Sequence, residues 1–278
     1  MKPAAFLAMA LLLTAAAEPA PVVRRIAAEE ARQGVAADAR HVYAVDNSRI
    51  GKYRIADGIR VAHWQGDQAI FPHLNSCTIA GRDLVCASSN YPALPQSSSV
   101  ELFDPRTLRH RRSIKLGLTD GSLTAVDRHA GRWWAVFAQY DGKGRAPGKN
   151  HRATRLVEFD SKFRVLRHWT FPEAVLERLK PYSISGASWS RDGRLAVSGH
   201  DLPEIYFVAL PEAGTVLRHV ATVPVVTRGQ AIDWDWRSQG RLWSISRQER
   251  QVVLSDLGRG ATGGRNTIAG TVAEASSP

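Results

Sequence analysis

In the run Val197-Ser198-Gly199-His200-Asp201-Leu202-Pro203-Glu204 a short β-forming segment stops in a histidine, two acids and a proline. An imidazole beside a carboxylate is suited to general acid–base chemistry near neutral pH, because the carboxylate fixes the tautomer and raises the ring's affinity for a proton. His200 with Asp201 is one such pair, and Glu204 is a further acid able to orient the ring or bind a cation. His73 and Asp120 are expected to face each other as a second pair. Arg228 and Arg247 are of the type that holds a carboxylate or phosphate through paired N–H donors. Other chemistries find little support: no zinc-type spacing of His and Cys occurs, "GKGRAPGK" does not join a strand to a helix as a phosphate loop must, and "SISGASW" is not a nucleophile elbow.

Residues so far apart act together only if the fold repeats. A hairpin opening on a polar residue recurs: "QGVAADARHVYAV" from Gln33, "NSCTIAGRDLVCA" from Asn75, "SLTAVDRHAGRWWAV" from Ser122, "SGASWSRDGRLAV" from Ser185 and "QAIDWDWRSQGRLWSI" from Gln230. Successive copies start 42, 47, 63 and 45 residues apart. A second strand pair follows each of the first four, as in "SVELFDPRTLRHRRSI". Four strands per period of about 40 to 50 residues is the pattern of a propeller blade. The fold class is therefore all-β, a single propeller of four-stranded blades, with five blades counted and six if the termini add more sheet. A two-sheet sandwich would not explain five hairpins in one register. The long third interval holds a glycine-rich basic loop, Asp141 to Arg152, and a short helix from Pro172. The fifth copy lacks a fourth strand, which "PVVRRIAA" near the start, or alternatively Asn266 to Val272, would supply.

In a propeller the first strand of each blade lies beside the central axis. The lead-in to that strand and the loop after the second strand share one face. The opening residues Gln33, Asn75, Ser122, Ser185 and Gln230 should then ring one mouth of the channel. Two residues earlier, on the same side of the strand, stand Ala31, His73, Asp120, Ser183 and Arg228. Just past the second strand come Asn47, Ser89, Gln139, His200 and Arg247. Trp133, Trp134, Trp189, Trp234, Trp236 and Trp243 sit inside repeat strands and read as blade packing. Calcium wants six or more oxygens, usually including carboxylates. The innermost positions offer amides and hydroxyls without an acid, so no metal ligands are assigned and calcium is not favoured.

The chain of 278 residues carries 37 Lys and Arg against 26 Asp and Glu, a net charge of +11. The charges are scattered; the densest run, "RTLRHRRSIK", lacks the aromatic platforms that single-stranded nucleic acid would need, so no nucleic-acid partner is expected. Met1 to Ala17, with Lys2 and an apolar run from Ala4, reads as a signal peptide cut near Ala17, which implies a secreted or periplasmic protein. No later segment is apolar enough to span a membrane. The propeller should occupy 18–260, a flexible tail 261–278, and a monomer is expected. If Gly81-Arg82 is a two-residue turn, Cys77 faces Cys86 at a non-hydrogen-bonded pair, where side chains approach most closely. A disulfide is expected there, the alternative being two reduced thiols buried in the hairpin.

The stretches "HVYAVDNSRIGKY", "HLNS…SNYP", "SSVELFDPRTL", "SGHDLPEIYFVALP" and "GQAIDWD" together resemble a family of secreted bacterial β-propellers sometimes labelled cycloisomerase-like. The likeness spans nearly all of the mature chain. It adds Ser76, Asn90, Tyr91 and Glu204 to the candidate ligand-binding residues, beside His73, Asn75, His200, Asp201 and Gln230. A looser likeness is to gluconolactonase-type propellers, which place a metal on acids and amides around the axis. Three readings follow: a module binding a small polar or anionic ligand at the channel mouth; a lactonase- or cycloisomerase-like enzyme with His73 and Asp120, or His200 and Asp201, as its acid–base groups; and a protein-docking scaffold using the opposite face or the Asp141 to Arg152 loop.

Overall fold

The computed structural model of the protein describes residues 17–258. The apolar leader before Ala17 and the tail after position 258, including the alternative closing strand at Asn266, lie outside the described residues. The chain begins with strand β1 (Val22–Ala27) and then forms four complete blades. Blade 1 holds β2 (Gly34–Ala37), β3 (His41–Asp46), β4 (Arg49–Arg54) and β5 (Arg60–Gln65). Blade 2 holds β6 (Leu74–Ala80), β7 (Asp83–Ser89), β8 (Ser97–Phe103) and β9 (His110–Leu118). Blade 3 holds β10 (Ser122–His129), β11 (Arg132–Ala138), β12 (Arg155–Phe159) and β13 (Val165–Thr170). The helix α1 (Glu173–Leu179) leads to blade 4, with β14 (Gly186–Trp189), β15 (Leu195–Ser198), β16 (Glu204–Ala209) and β17 (Arg218–Pro224). Blade 5 has β18 (Ile232–Trp234), β19 (Arg241–Ser246) and β20 (Gln251–Asp256), and β1 completes it by antiparallel pairing with β20. The fold is thus the five-bladed propeller expected, and the ring is closed by a strand from the beginning of the chain.

Each blade packs face to face on the next. The apolar core accordingly divides into five clusters, one for each blade interface. Val35 and Ala37 of blade 1 share a cluster with Trp243, Ile245 and Val252 of blade 5, so the last interface is apolar like the others. Trp133, Trp134, Trp189, Trp234 and Trp243 are buried in these clusters. Trp236 is the exception and corrects the packing assignment: it lies in the turn after β18, 43% exposed, under the guanidinium of Arg191. The basic run lies in the turn before β9 and on the first part of β9, an outermost strand that is nowhere buried; Arg111 pairs there with Asp83 and Asp104.

The innermost strands β2, β6, β10, β14 and β18 contact one another in sequence around the axis. Glycine makes the closest approaches: a Cβ on Gly34 would stand 2.2 Å from the carbonyl oxygen of Asn75, and one on Gly186 2.6 Å from that of Gln230. The Cys77–Cys86 disulfide is present at paired positions of the β6–β7 hairpin, with Cα atoms 4.0 Å apart, as the turn at Gly81-Arg82 requires. Among the described residues, no helix is long and apolar enough to cross a membrane.

Candidate functional site at the channel mouth

The opening residues lie where the repeat puts them, at the top of the inner strands, but they are packed rather than open. Asn75, Ser122 and Gln230 are buried, and their polar groups bind the ring together. The Asn75 amide donates to the Leu123 carbonyl at 3.3 Å, and Ser122 Oγ donates to Ser89 Oγ at 2.8 Å. Ser76 Oγ, on blade 2, reaches the Ser185 carbonyl of blade 4 at 3.3 Å. A hydrogen bond between blades that are not neighbours means the channel here is about one side chain wide. Gln33 accepts from the Ala231 N–H at 3.3 Å through its carbonyl. These positions frame the mouth from below.

Deeper along the same strands, beyond the opening positions that carry no acid, stand two carboxylates that the repeat did not point to. Asp127 on β10 accepts the Trp189 N–H of the next blade at 2.7 Å, and Asp233 on β18 accepts the Ala37 N–H at 2.9 Å and the Ser188 hydroxyl at 3.3 Å. Burial pushes the Asp127 carboxyl up to about 6, and burial together with the neighbouring Asp127 charge drives Asp233 well above the usual carboxylate range. Both bridge adjacent blades. The signal in the sequence was the alternation of β10 and β18, but a register shift between Leu123 and Ala125 in β10 moves Asp127 off the simple period of two. Among the described residues, no group of three or more His, Cys, Asp or Glu is placed to hold a metal ion.

The histidines lie above this frame and differ from one another. His73 Nδ1 lies 2.7 Å from Asn47 Oδ1, whose amide nitrogen donates to Asp46 at 3.2 Å. That arrangement aims the amide oxygen at the ring, so Nδ1 carries the proton. Burial lowers the His73 imidazole to about 4, against the pull of Asp46. The carboxylate expected beside it is elsewhere. Asp120 is held by Lys149 Nζ at 2.5 Å and by the Gln139 amide at 3.2 Å, and Arg155 stands 3.9 Å away. His73 packs instead against Tyr91, and Tyr91 against Tyr140, at ring separations of 5.3 and 5.0 Å. The residue preceding an inner strand meets the loop of the blade before it, which is why Asn47 wins over Asp120.

His200 does pair with Asp201, Nδ1 to Oδ1 at 2.7 Å. Its other nitrogen lies 3.1 Å from Arg247 Nη1. A guanidinium only donates, so Nε2 accepts and the Nδ1 proton goes to Asp201. Arg247 Nη2 also reaches Asp201 at 3.1 Å and the His200 carbonyl at 3.4 Å. Burial lowers the His200 imidazole; Asp201 opposes this and the Arg247 charge adds to it. Tyr182, from the segment after α1, stacks on the ring at 3.9 Å. Glu204 takes no part, since it is bound by Arg178 of α1 and by the Tyr206 hydroxyl. Asn90 likewise serves its own loop, donating to the Pro95 carbonyl and accepting the Ser97 N–H, both at 2.9 Å. Tyr140, Tyr182 and Lys149 were not foreseen. The last two belong to segments outside the repeat, where periodicity carries no information.

Beside His200 opens a cleft of about 370 Å³, walled by Arg25, Asp201, Val226, Arg228, Arg247 and Glu249. Arg25 pairs with Glu249 at 3.2 Å. Among the described residues, Arg228 has neither an ion-pair nor a hydrogen-bond partner, and it is exposed. The cleft therefore presents three guanidinium groups to two carboxylates, one of which, Asp201, is already engaged by His200 and Arg247.

No protein-family model matches the sequence, and no curated protein matches it. Solved structures do align with it. A PQQ-bound aldose sugar dehydrogenase from Streptomyces coelicolor aligns over 80% of this chain and 76% of that one, with a TM-score of 0.52 and 12% identity. A chain of the mitotic checkpoint complex aligns over 90% of this chain and 99% of its own, with a TM-score of 0.49 and 9% identity. U3-55K aligns over 81% and 67%, with a TM-score of 0.44 and 13% identity. At such identities the first likeness is one of fold.

Proposed function

We propose that the protein binds a small anionic molecule, a carboxylate or a phosphate, in the arginine cleft beside the channel mouth. The reading rests on one observation: His200 and Asp201 hold Arg247 by both terminal nitrogens while Arg228, on the same cleft, has no partner among the described residues. A guanidinium fixed before the ligand arrives loses less freedom on binding, and a second, free one completes a clamp. Sugar acids fit this chemistry, with Ser246 and Gln248 on the same cleft able to meet their hydroxyls. Acid–base turnover is the weaker reading, because the His200 lone pair is occupied by Arg247 and His73 is a poor base. The disulfide suits an oxidising compartment, and with the signal-like first residues it supports export from the cytoplasm.

The test is calorimetric titration with gluconate, glucuronate and glucose 6-phosphate against neutral glucose. One of the anions should bind in preference to glucose. Arg228→Gln and Arg247→Gln should each weaken it by about tenfold or more, the scale of a lost charge-assisted pair. Unchanged affinity in both variants, or no preference for anions, would refute the proposal. His200→Ala should follow Arg247→Gln, since His200 acts here by positioning.

A further inference from the structure

A second cleft lies on the flank of the ring, between β9 of blade 2 and β11 to β13 of blade 3, with a volume of about 380 Å³. Its floor is apolar: the largely buried Phe137 and Phe159 line it together with Ile114 and Leu116. Its rim is apolar as well. Leu118 is 74% exposed and Val165 62%, which is unusual for large aliphatic side chains converging on one depression. Phe163 projects from the β12–β13 turn, held at φ +57 in the left-handed region that bulky residues avoid, with its ring stacked on Trp133 at 5.0 Å.

At one end stands Arg155, the first residue of β12. Its Nε is buried with no hydrogen-bond partner among the described residues, and its Nη1 is 3.9 Å from Asp120. Asp120 is already satisfied by Lys149 and Gln139. A buried unpartnered N–H calls for an explanation, and a ligand oxygen supplies one. Lys162 on the same cleft has no ion pair among the described residues, and Lys115 lies 4.0 Å from its nearest acid, Glu101. The cleft thus combines an apolar trough with a cationic end, within the size range of small-molecule sites.

We propose that this flank cleft binds an amphipathic monocarboxylate, its apolar body against Phe137, Phe159 and Phe163 and its carboxylate on Arg155. The site is separate from the arginine cleft at the mouth and takes a different ligand: among the described residues the mouth cleft is lined by no aromatic ring, and the flank cleft by one guanidinium, that of Arg155. The probe is octanoate, titrated calorimetrically at neutral pH with 1-octanol as the uncharged match. Octanoate should bind saturably at one site and octanol at least tenfold more weakly. Arg155→Gln should reduce octanoate affinity about tenfold. Val165→Asp should do the same from an exposed position that does not support the core, while Arg228→Gln leaves it unchanged. The proposal fails if octanoate shows no saturable binding, if octanol binds equally, if Arg155→Gln and Val165→Asp both bind as the parent does, or if Arg228→Gln abolishes binding.

Discussion

The inner strands and the channel mouth are both rich in polar side chains and use them in opposite ways. Along the axis, Asp127, Asp233, Ser76 and Asn75 are buried, and each is engaged by a backbone group or hydroxyl of another blade. At the mouth, Arg228 is exposed and unpartnered among the described residues, and Arg247 is held from one side only. Saturation therefore separates the two regions better than polarity does. A buried polar group whose partners belong to neighbouring blades is a fastener, whereas one aimed into a cleft with donors to spare is available to a ligand. The comparison predicts that substitutions along the axis cost stability and that those at the mouth cost affinity.

The largest expected effect is at Asp233. Asp233→Ala removes the acceptor for the Ala37 N–H and the Ser188 hydroxyl, leaving buried donors unmet and a small void. A loss of about 3 kcal/mol is expected, read as a lower midpoint in urea denaturation. A loss below about 1 kcal/mol would mean that the channel acids are not fasteners and would reopen a ligand role for the axis.

A smaller effect, with a sign, sets His73 at the mouth against Asp127 in the channel. The Asp127 carboxyl is raised to about 6 in the folded protein, from an ordinary value of 3.8. Between these values the native state holds a proton that the unfolded chain has released, so acidification through this window favours folding. The His73 imidazole is lowered to about 4 from 6.5. There the unfolded chain binds a proton that the native state refuses, so acidification opposes folding. Each contribution is at most roughly 3 kcal/mol, and they largely cancel in the parent. Relative to the parent, His73→Gln should therefore gain stability as pH falls from 6.5 to 4, by about 2 kcal/mol. Asp127→Asn should lose stability over nearly the same window. Parallel pH profiles for parent and variants would show that these groups do not titrate as their burial implies.

Much of this contrast was hidden from the sequence for identifiable reasons. The blades were legible because hairpins recur in register, and so were the closing strand, from the strand-like "PVVRRIAA", and the disulfide, from the turn at Gly81-Arg82. The partners were not. His73 was expected to meet Asp120, but which loop touches which depends on the path of each connection, and Asn47 lies nearer. Bulges shifted the register of β6 and β10, so the period of two failed at the depth where Asp127 stands. Lys149 and Tyr182 come from insertions that occur once. The repeat specifies backbone position closely, but a side chain's partner is decided by the loops, which do not repeat.

The smallest expected effect is the sharpest test of the contrast. Arg228→Ala removes no hydrogen bond, ion pair or buried surface that the described residues show, so its stability should stay within about 0.5 kcal/mol of the parent. The same substitution should lower anion affinity at the mouth. If Arg228→Ala instead destabilises the protein by more than about 1 kcal/mol, the arginine is supporting the fold. The mouth would then be a continuation of the channel's fastening, and a stability change alone would explain any loss of binding. A variant as stable as the parent but deficient in binding is the combination that a structural residue cannot produce, because fasteners and clamps differ in what their removal leaves behind.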